Sequence, residues 1–225
     1  MKTILYQYEI SPFCDKVRRA LRLKGLAFET IEVPIIPGRY KHISPTGKFP
    51  AIDHGGRIIV DSTDIIAFLD SIAEPKLIPV HPRQRAEALI VEDWADESLY
   101  FFDVTMRNWP QNRQWFVDDL LRHESGWQRG ILARMIPGAL KKVAVNQGTG
   151  RKSEGAVVSD LARHYDGIEA ILEGQDWLVG EALSVADIAV RSMMFVIDRT
   201  IEGKALHDSR PRMVAWSTRV DSLTL

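Results

Sequence analysis

The stretch YQYEISPFCDKVRRALRLKG, residues 6–25, decides how the fold is read. It starts inside TILYQYE (3–9), a run rich in β-branched and aromatic residues that reads as a strand. Ser-Pro follows at once. Ser11 is a natural helix N-cap, and Pro12 at the first helical position arrives with its φ already set. From Pro12 to Lys24 the apolar residues Phe13, Val17, Ala20 and Leu21 recur at helical spacing, and Gly25 stands where a C-terminal cap belongs. A second strand, AFETIEV (27–33), completes a βαβ unit, which favours a right-handed crossover and parallel pairing.

Outward from that unit the chain has two textures. A polar loop, PIIPGRYKHISPTGK (34–48), leads to FPAIDHGGRIIVDS (49–62), which reads as two strands joined by a turn at His54-Gly55-Gly56. TDIIAFLDSI (63–72) closes this half as a helix, giving the order β-α-β then β-β-α. Beyond PKLIPVHP (75–82) strand signals vanish, and periodic stretches predict helices over about 83–108, 112–145, 155–173, 184–201 and 211–222. The linker falls near 76–84. The expected organisation is an α/β domain over 1–77 and an all-helical domain over 85–225. NQGTGRKSEG (146–155) reads as a solvated loop, because it lacks both the G-x-x-x-x-G-K-[ST] spacing and the preceding strand of a phosphate loop.

Composition narrows the function. The 225 residues carry 29 Lys plus Arg against 30 Asp plus Glu, a net charge of −1, so no broad attraction to nucleic acid or anionic membrane is expected. A single cysteine excludes an internal disulfide framework and suits a reducing compartment. MKTILYQYE is too short in its apolar run for a signal peptide, and no stretch approaches a membrane span, so a soluble cytoplasmic protein is expected. Six scattered histidines, without H-x-x-x-H spacing or a Cys/His cluster, predict no metal site.

The chemistry points back to the opening stretch. A helix N-terminus offers free N–H groups and partial positive charge, which favour an anion, a thiolate included. Ser11 could donate its hydroxyl proton to a thiolate carried by a ligand; lowering a thiol from about 8.5 to about 7 takes roughly 2 kcal/mol, within reach of one charge-assisted hydrogen bond and the helix end. Cys14 lies one turn on. It is either a small hydrophobe packing the helix on the sheet or a redox thiol limited to a monothiol cycle. The Ser184…Asp187 spacing is a capping box and is assigned to folding.

Four motifs in order, spanning nearly the whole chain, resemble the glutathione transferase superfamily: SPFC (11–14), SPTGKFPAI (44–52), VDST (60–63) and LSVADIAV (183–190). The resemblance implies a thioredoxin-like α/β domain beside an all-helical domain, a glutathione site in the first and an apolar electrophile pocket from the second. Residue by residue it puts Ser11 at the thiolate-stabilising hydroxyl, with Phe13 beside it among the glutathione-binding residues. It makes Pro50 a cis proline that lets Phe49 offer its backbone to the cysteinyl part of the tripeptide, and Lys48 a partner for a ligand carboxylate. Asp61 and Ser62 would hold the γ-glutamyl end. His42 in the nearby loop reads as a surface residue, and Tyr6 and Tyr8 belong to the first strand.

Three departures from the family pattern bear on the site: Phe49 for valine, Asp61 one methylene shorter than glutamate, and Ser11 combined with Cys14. Trp94, Tyr100, Phe101, Met106 and Trp109 are candidate pocket walls, although an aromatic stripe at helical spacing is more often core. The resemblance further implies a homodimer and a detoxifying transferase attacking a small electrophile with the glutathione thiolate. Two alternatives stay open: thiol-disulfide exchange or deglutathionylation through Cys14, and a non-catalytic ligand- or protein-binding module.

Overall fold

The computed structural model describes residues 1–36 and 38–225; Pro37, in the polar loop after the second strand, lies outside the described residues. The expected βαβ unit is there. β1 (Thr3–Gln7), α1 (Pro12–Leu23) and β2 (Glu29–Glu32) place β2 parallel to β1, with Tyr6 opposite Ile31. β3 (Ala51–His54) and β4 (Arg57–Val60) form an antiparallel hairpin, and β3 pairs antiparallel with β1, giving the strand order β2-β1-β3-β4. The hairpin turns on Gly55 and Gly56 at φ +62° and +91°, a backbone that favours glycine at both positions. α2 (Ser62–Ile72) packs on the sheet through Ile65, Ile66 and Leu69, all fully buried with Leu5 and Ile52.

The remaining helices depart from the predicted set in two places. The stretch expected as one helix over 83–108 is α3 (Pro82–Trp94) and α4 (Tyr100–Met106), joined without a break by a π-helical turn at Ala95–Leu99. The stretch expected over 112–145 is two helices, α5 (Pro110–Leu120) and α6 (Gly126–Gln147). α6 runs through Pro137, while Gly126 at φ +64° opens it. α7 (Glu154–Ile171) and α10 (Pro211–Thr224) fall where expected. α8 (Val185–Ile197) stops short of 201, and α9 (Ile201–Asp208) begins anew with Thr200 as cap, its hydroxyl oxygen accepting from the Gly203 N–H at 3.1 Å. A Cβ on Gly203 would lie 2.3 Å from the Ile197 carbonyl oxygen, so the tight connection requires glycine there. The loop expected at 146–155 is shortened by the end of α6 and a 3₁₀ turn at Thr149–Arg151.

α8 is buried almost all round and is the post on which the two halves meet. Its Ile188, Ala189, Met193 and Met194 share one core with Val17, Ala20 and Leu21 of α1 and with Leu161, Tyr165, Met213 and Trp216 of the helical layers. α1 is buried on its polar positions too. Lys16, Arg18 and Arg19 are at most 7 % exposed, and each is paired. Lys16 Nζ meets Glu92 at 2.9 Å and Asp96 at 2.6 Å; Arg18 meets Gln7 at 2.7 Å and Asp15 at 3.2 Å; Arg19 meets Asp15 at 2.5 Å and Asp221 at 2.7 Å. Charges buried this deeply hold only as pairs, and these tie α1 to α3, the π turn and α10.

Candidate functional site

β1 ends at Gln7, and the chain turns back through a hydrogen bond from the Ser11 N–H to the Tyr8 carbonyl, 3.0 Å. Ser11 then caps α1 from an extended conformation, its Oγ accepting the Cys14 N–H at 3.4 Å. Pro12 has no N–H to offer and the Cys14 N–H is taken, so the Phe13 N–H remains the unengaged donor of the first turn. The one acidic residue of that turn, Asp15, is neutralised by Arg18 and Arg19. The helix end therefore keeps its partial positive charge, with a hydroxyl beside it.

Cys14 does not share that role. Its side chain is fully buried in a small cluster with Tyr6, Val33, Ile43, Phe49 and Ala51. Burial pushes its thiol up to about 11, against the pull of hydrogen bonds from Tyr8 and Ser11 and the charge of Arg18. A thiol held neutral inside an apolar cluster is poorly placed to act as a nucleophile. Tyr8, half-buried next door, is likewise pushed up to about 12, chiefly by burial, and stays a neutral phenol.

The second arm of the site comes from the β3 approach. The Phe49–Pro50 peptide is cis, and Ala51, next in sequence, pairs with Tyr6. Phe49, the residue that stands in for valine, turns inward. It is 6 % exposed, its ring meets Tyr8 edge-on at 5.8 Å, and it packs in the same apolar cluster as Cys14. Lys48 is exposed, its carbonyl held by the Ser44 hydroxyl at 2.7 Å; His42 is exposed as well.

The third arm is Asp61–Ser62. Asp61 stands at φ +74°, the only non-glycine residue with positive φ among those described. Such a conformation costs on the order of 1–3 kcal/mol and persists where its surroundings demand it. Asp61 is exposed and caps α2, its Oδ1 accepting the Thr63 N–H at 2.9 Å. Ser62 is buried at the first turn. Glu92 accepts from Thr63 Oγ1 at 2.8 Å and pairs with Lys16, so one carboxylate pins the first turn of α2 to α1. Asp96, the other partner of Lys16, is pushed up to about 6, mainly by burial and in spite of that lysine.

Of the wall candidates, Tyr100 reaches the helix mouth: its ring lies 5.0 Å from Phe13, and Phe101 packs on it at 5.3 Å. Met106 is fully buried in the core, Trp94 packs against His164 at 5.4 Å, and Trp109 leans on the same core, so none of the three borders Phe13 as Tyr100 does. Sequence reasoning passed over Lys16 and Arg107, because nothing local marks a lysine or arginine as buried. Surface cavities of about 510 and 500 Å³ lie away from Ser11, one between the α7–α8 connection and α10, the other at the end of β2 beside His123. Among the described residues no group of three or more His, Cys, Asp or Glu is arranged to hold a metal ion, and no helix is long and apolar enough to cross a membrane.

Residues 5–77 match the family "Glutathione S-transferase, N-terminal domain", and residues 136–223 match "Glutathione S-transferase, C-terminal domain". The chain belongs to the glutathione transferase superfamily. Over 201 residues it is 29 % identical to FtsZ-localized protein A of Caulobacter vibrioides, covering 86 % of this chain and 76 % of that one. It is 28 % identical over 204 residues to the Arabidopsis thaliana glutathione S-transferase TCHQD, covering 82 % and 73 %. The solved structure of the beta-etherase LigF from a Sphingobium strain superposes with a TM-score of 0.73 over 99 % of this chain and 96 % of that one, at 23 % identity, a likeness of fold.

Proposed function

We propose that the protein is a glutathione transferase in which Ser11 stabilises the thiolate of bound glutathione for attack on a small apolar electrophile. The observation that carries this reading is the start of α1: a capping hydroxyl beside a free backbone N–H, with the only acid of the turn neutralised. An incoming thiolate competes for the Ser11 proton with the Cys14 thiol, which is neutral and a weak acceptor. Phe49 and Pro50 would lie along the cysteinyl part of the tripeptide, Asp61 and Ser62 would receive the γ-glutamyl end, and Lys48 would approach the glycyl carboxylate. Phe13 and Tyr100 would border the electrophile. The reaction forms a bond from sulfur to the electrophilic atom, expels the leaving group where there is one, and gives up the thiol proton to solvent; binding supplies proximity and Ser11 the ionisation. A homodimer in the cytoplasm, with the α/β half over 1–77 holding glutathione and the helical half over 85–225 the electrophile, completes the proposal.

The test is ultraviolet difference absorption of glutathione bound near neutral pH, with conjugation assayed on aryl halides, epoxides, disulfides and peroxides. A thiolate signal with turnover supports the reading; bound glutathione without a thiolate signal overturns it. That second outcome would favour a binding module without catalysis. The kinship with a relative named for its localisation with FtsZ gives this alternative its footing.

Exchange through Cys14 predicts a different pattern. Cys14→Ala is expected to keep conjugation and any disulfide reduction within about twofold of wild type, because a thiol pushed up to about 11 contributes almost no thiolate at neutral pH. Loss of disulfide reduction alone would restore the redox role.

A further inference from the structure

Six of the ten buried side-chain atoms without a hydrogen-bond partner, among the described residues, fall between positions 103 and 115: both carboxylate oxygens of Asp103, Thr105 Oγ1, Arg107 Nε, Asn108 Oδ1 and Trp115 Nε1. Buried polar groups are ordinarily satisfied, so each of these atoms calls for a partner. Trp115 Nε1 and Arg107 Nε are the nitrogen donors among them, and Arg107 is the charged one. It is 6 % exposed and lies 2.9 Å from Asp103 Oδ2, off the direction a hydrogen bond requires.

Two rings locate Arg107 relative to the helix mouth. Its guanidinium carbon stands 4.3 Å from the Phe116 ring centre and 5.8 Å from that of Tyr100. Phe116 shares a cluster with Ile10, the residue before Ser11, and Tyr100 packs on Phe13, two residues after it. The guanidinium is therefore linked to the residues on both sides of Ser11 through one aromatic ring each. A guanidinium stacked on ring faces keeps its edge N–H groups for a planar acceptor in the same plane. Asp103, fully buried, is paired with it in poor hydrogen-bond geometry, and burial raises its carboxyl to about 6 against the pull of Arg107.

Resting on the glutathione transferase reading above, we propose that the electrophile carries, beside its apolar reacting part, a carboxylate or similar anionic group that Arg107 receives. Arg107 is then a specificity-determining residue for the second substrate.

The test compares 4-chloro-3-nitrobenzoate with its methyl ester. The thiolate attacks the chlorine-bearing carbon of either, the S–C bond forms and chloride leaves with the C–Cl electron pair, so the two probes differ mainly in charge. The wild type is expected to show a KM about tenfold or more lower for the anion, the size of one charge-assisted hydrogen bond. Arg107→Gln should bring the ratio close to one, Arg107→Lys should keep part of it, and Asp103→Asn, which removes the competing carboxylate, should widen it. A wild-type ratio near one, a ratio that survives Arg107→Gln, or one narrowed by Asp103→Asn overturns the proposal. Quenching of tryptophan fluorescence by 4-nitrobenzoate, against its methyl ester, reads the same preference without turnover. An anion preference lost in Arg107→Gln but unaccompanied by conjugation would leave this inference standing and remove the transferase reading; conjugation without anion preference would do the reverse.

Discussion

Replacing Ser11 by alanine is expected to lower the conjugation rate at neutral pH by about 10- to 50-fold, with the loss closing as pH rises. The size follows from one hydrogen bond to a charged sulfur, roughly 1.5–3 kcal/mol, which corresponds to about one to two pKa units. The sign follows from which form the hydroxyl favours. Donation to the thiolate depresses the bound thiol's pKa, so its removal returns the thiol toward its ordinary value near 8.5 and shrinks the thiolate fraction below that pH. Above it both enzymes hold glutathione ionised and their rates converge. Ser11 also caps α1, so the variant should lose about 1 kcal/mol of stability, which thermal unfolding will register separately. A cap acts on folding and cannot move a pH–rate profile. Equal rates at all pH values, or a deficit that stays constant with pH, would remove Ser11 from the chemistry. Ser11→Thr, which keeps both the cap and the hydroxyl, should recover most of the activity.

What could be read in advance was whatever local pattern determines. The βαβ opening, the Gly55-Gly56 turn and α2 all rest on contacts within a few dozen residues, and their sequence signals are strong. Breaks in the helical half are different. Gly126 and Pro137 lie in one periodic run, and only packing decides that the chain turns before the first and passes straight through the second. The start of α9 depends on how closely Gly203 can approach the Ile197 carbonyl, which periodicity does not encode. In the site, Ser11, Pro50 and the Asp61-Ser62 pair stand in short motifs and could be proposed from resemblance. Lys16 and Arg107 could not. The partners of Lys16 lie 76 and 80 residues away, and the rings around Arg107 matter only because α4 and α5 fold back on either side of Ser11.

The largest effect on folding is expected at Asp187. The residue is fully buried at the third position of α8, and its carboxylate accepts four hydrogen bonds: the Leu178 N–H at 2.8 Å, the Ser184 N–H at 2.9 Å, the Ser184 hydroxyl at 3.0 Å and the Trp216 indole N–H at 2.9 Å. Burial raises its pKa, while those four donors pull it down. The group therefore closes the capping box of α8 and also ties that helix to the strand-free loop before it and to α10. Asp187→Ala would leave three N–H donors buried without a partner. At about 1–3 kcal/mol for each orphaned group, with partial relief from water entering the gap, the loss should reach roughly 3–5 kcal/mol. In a chain of this length that lowers Tm by on the order of 10 °C. Asp187→Asn keeps one acceptor oxygen for Leu178 and Trp216 but turns an amide toward the Ser184 N–H, so it should cost roughly half as much. Because α8 is the post against which α1 packs, the damage should reach the helix mouth, and hydrogen exchange at α1 amides should quicken with that at α8. If the alanine variant melted within about 1 kcal/mol of wild type, water would be satisfying the donors as well as the carboxylate does, and the network would be dispensable for holding the two halves together.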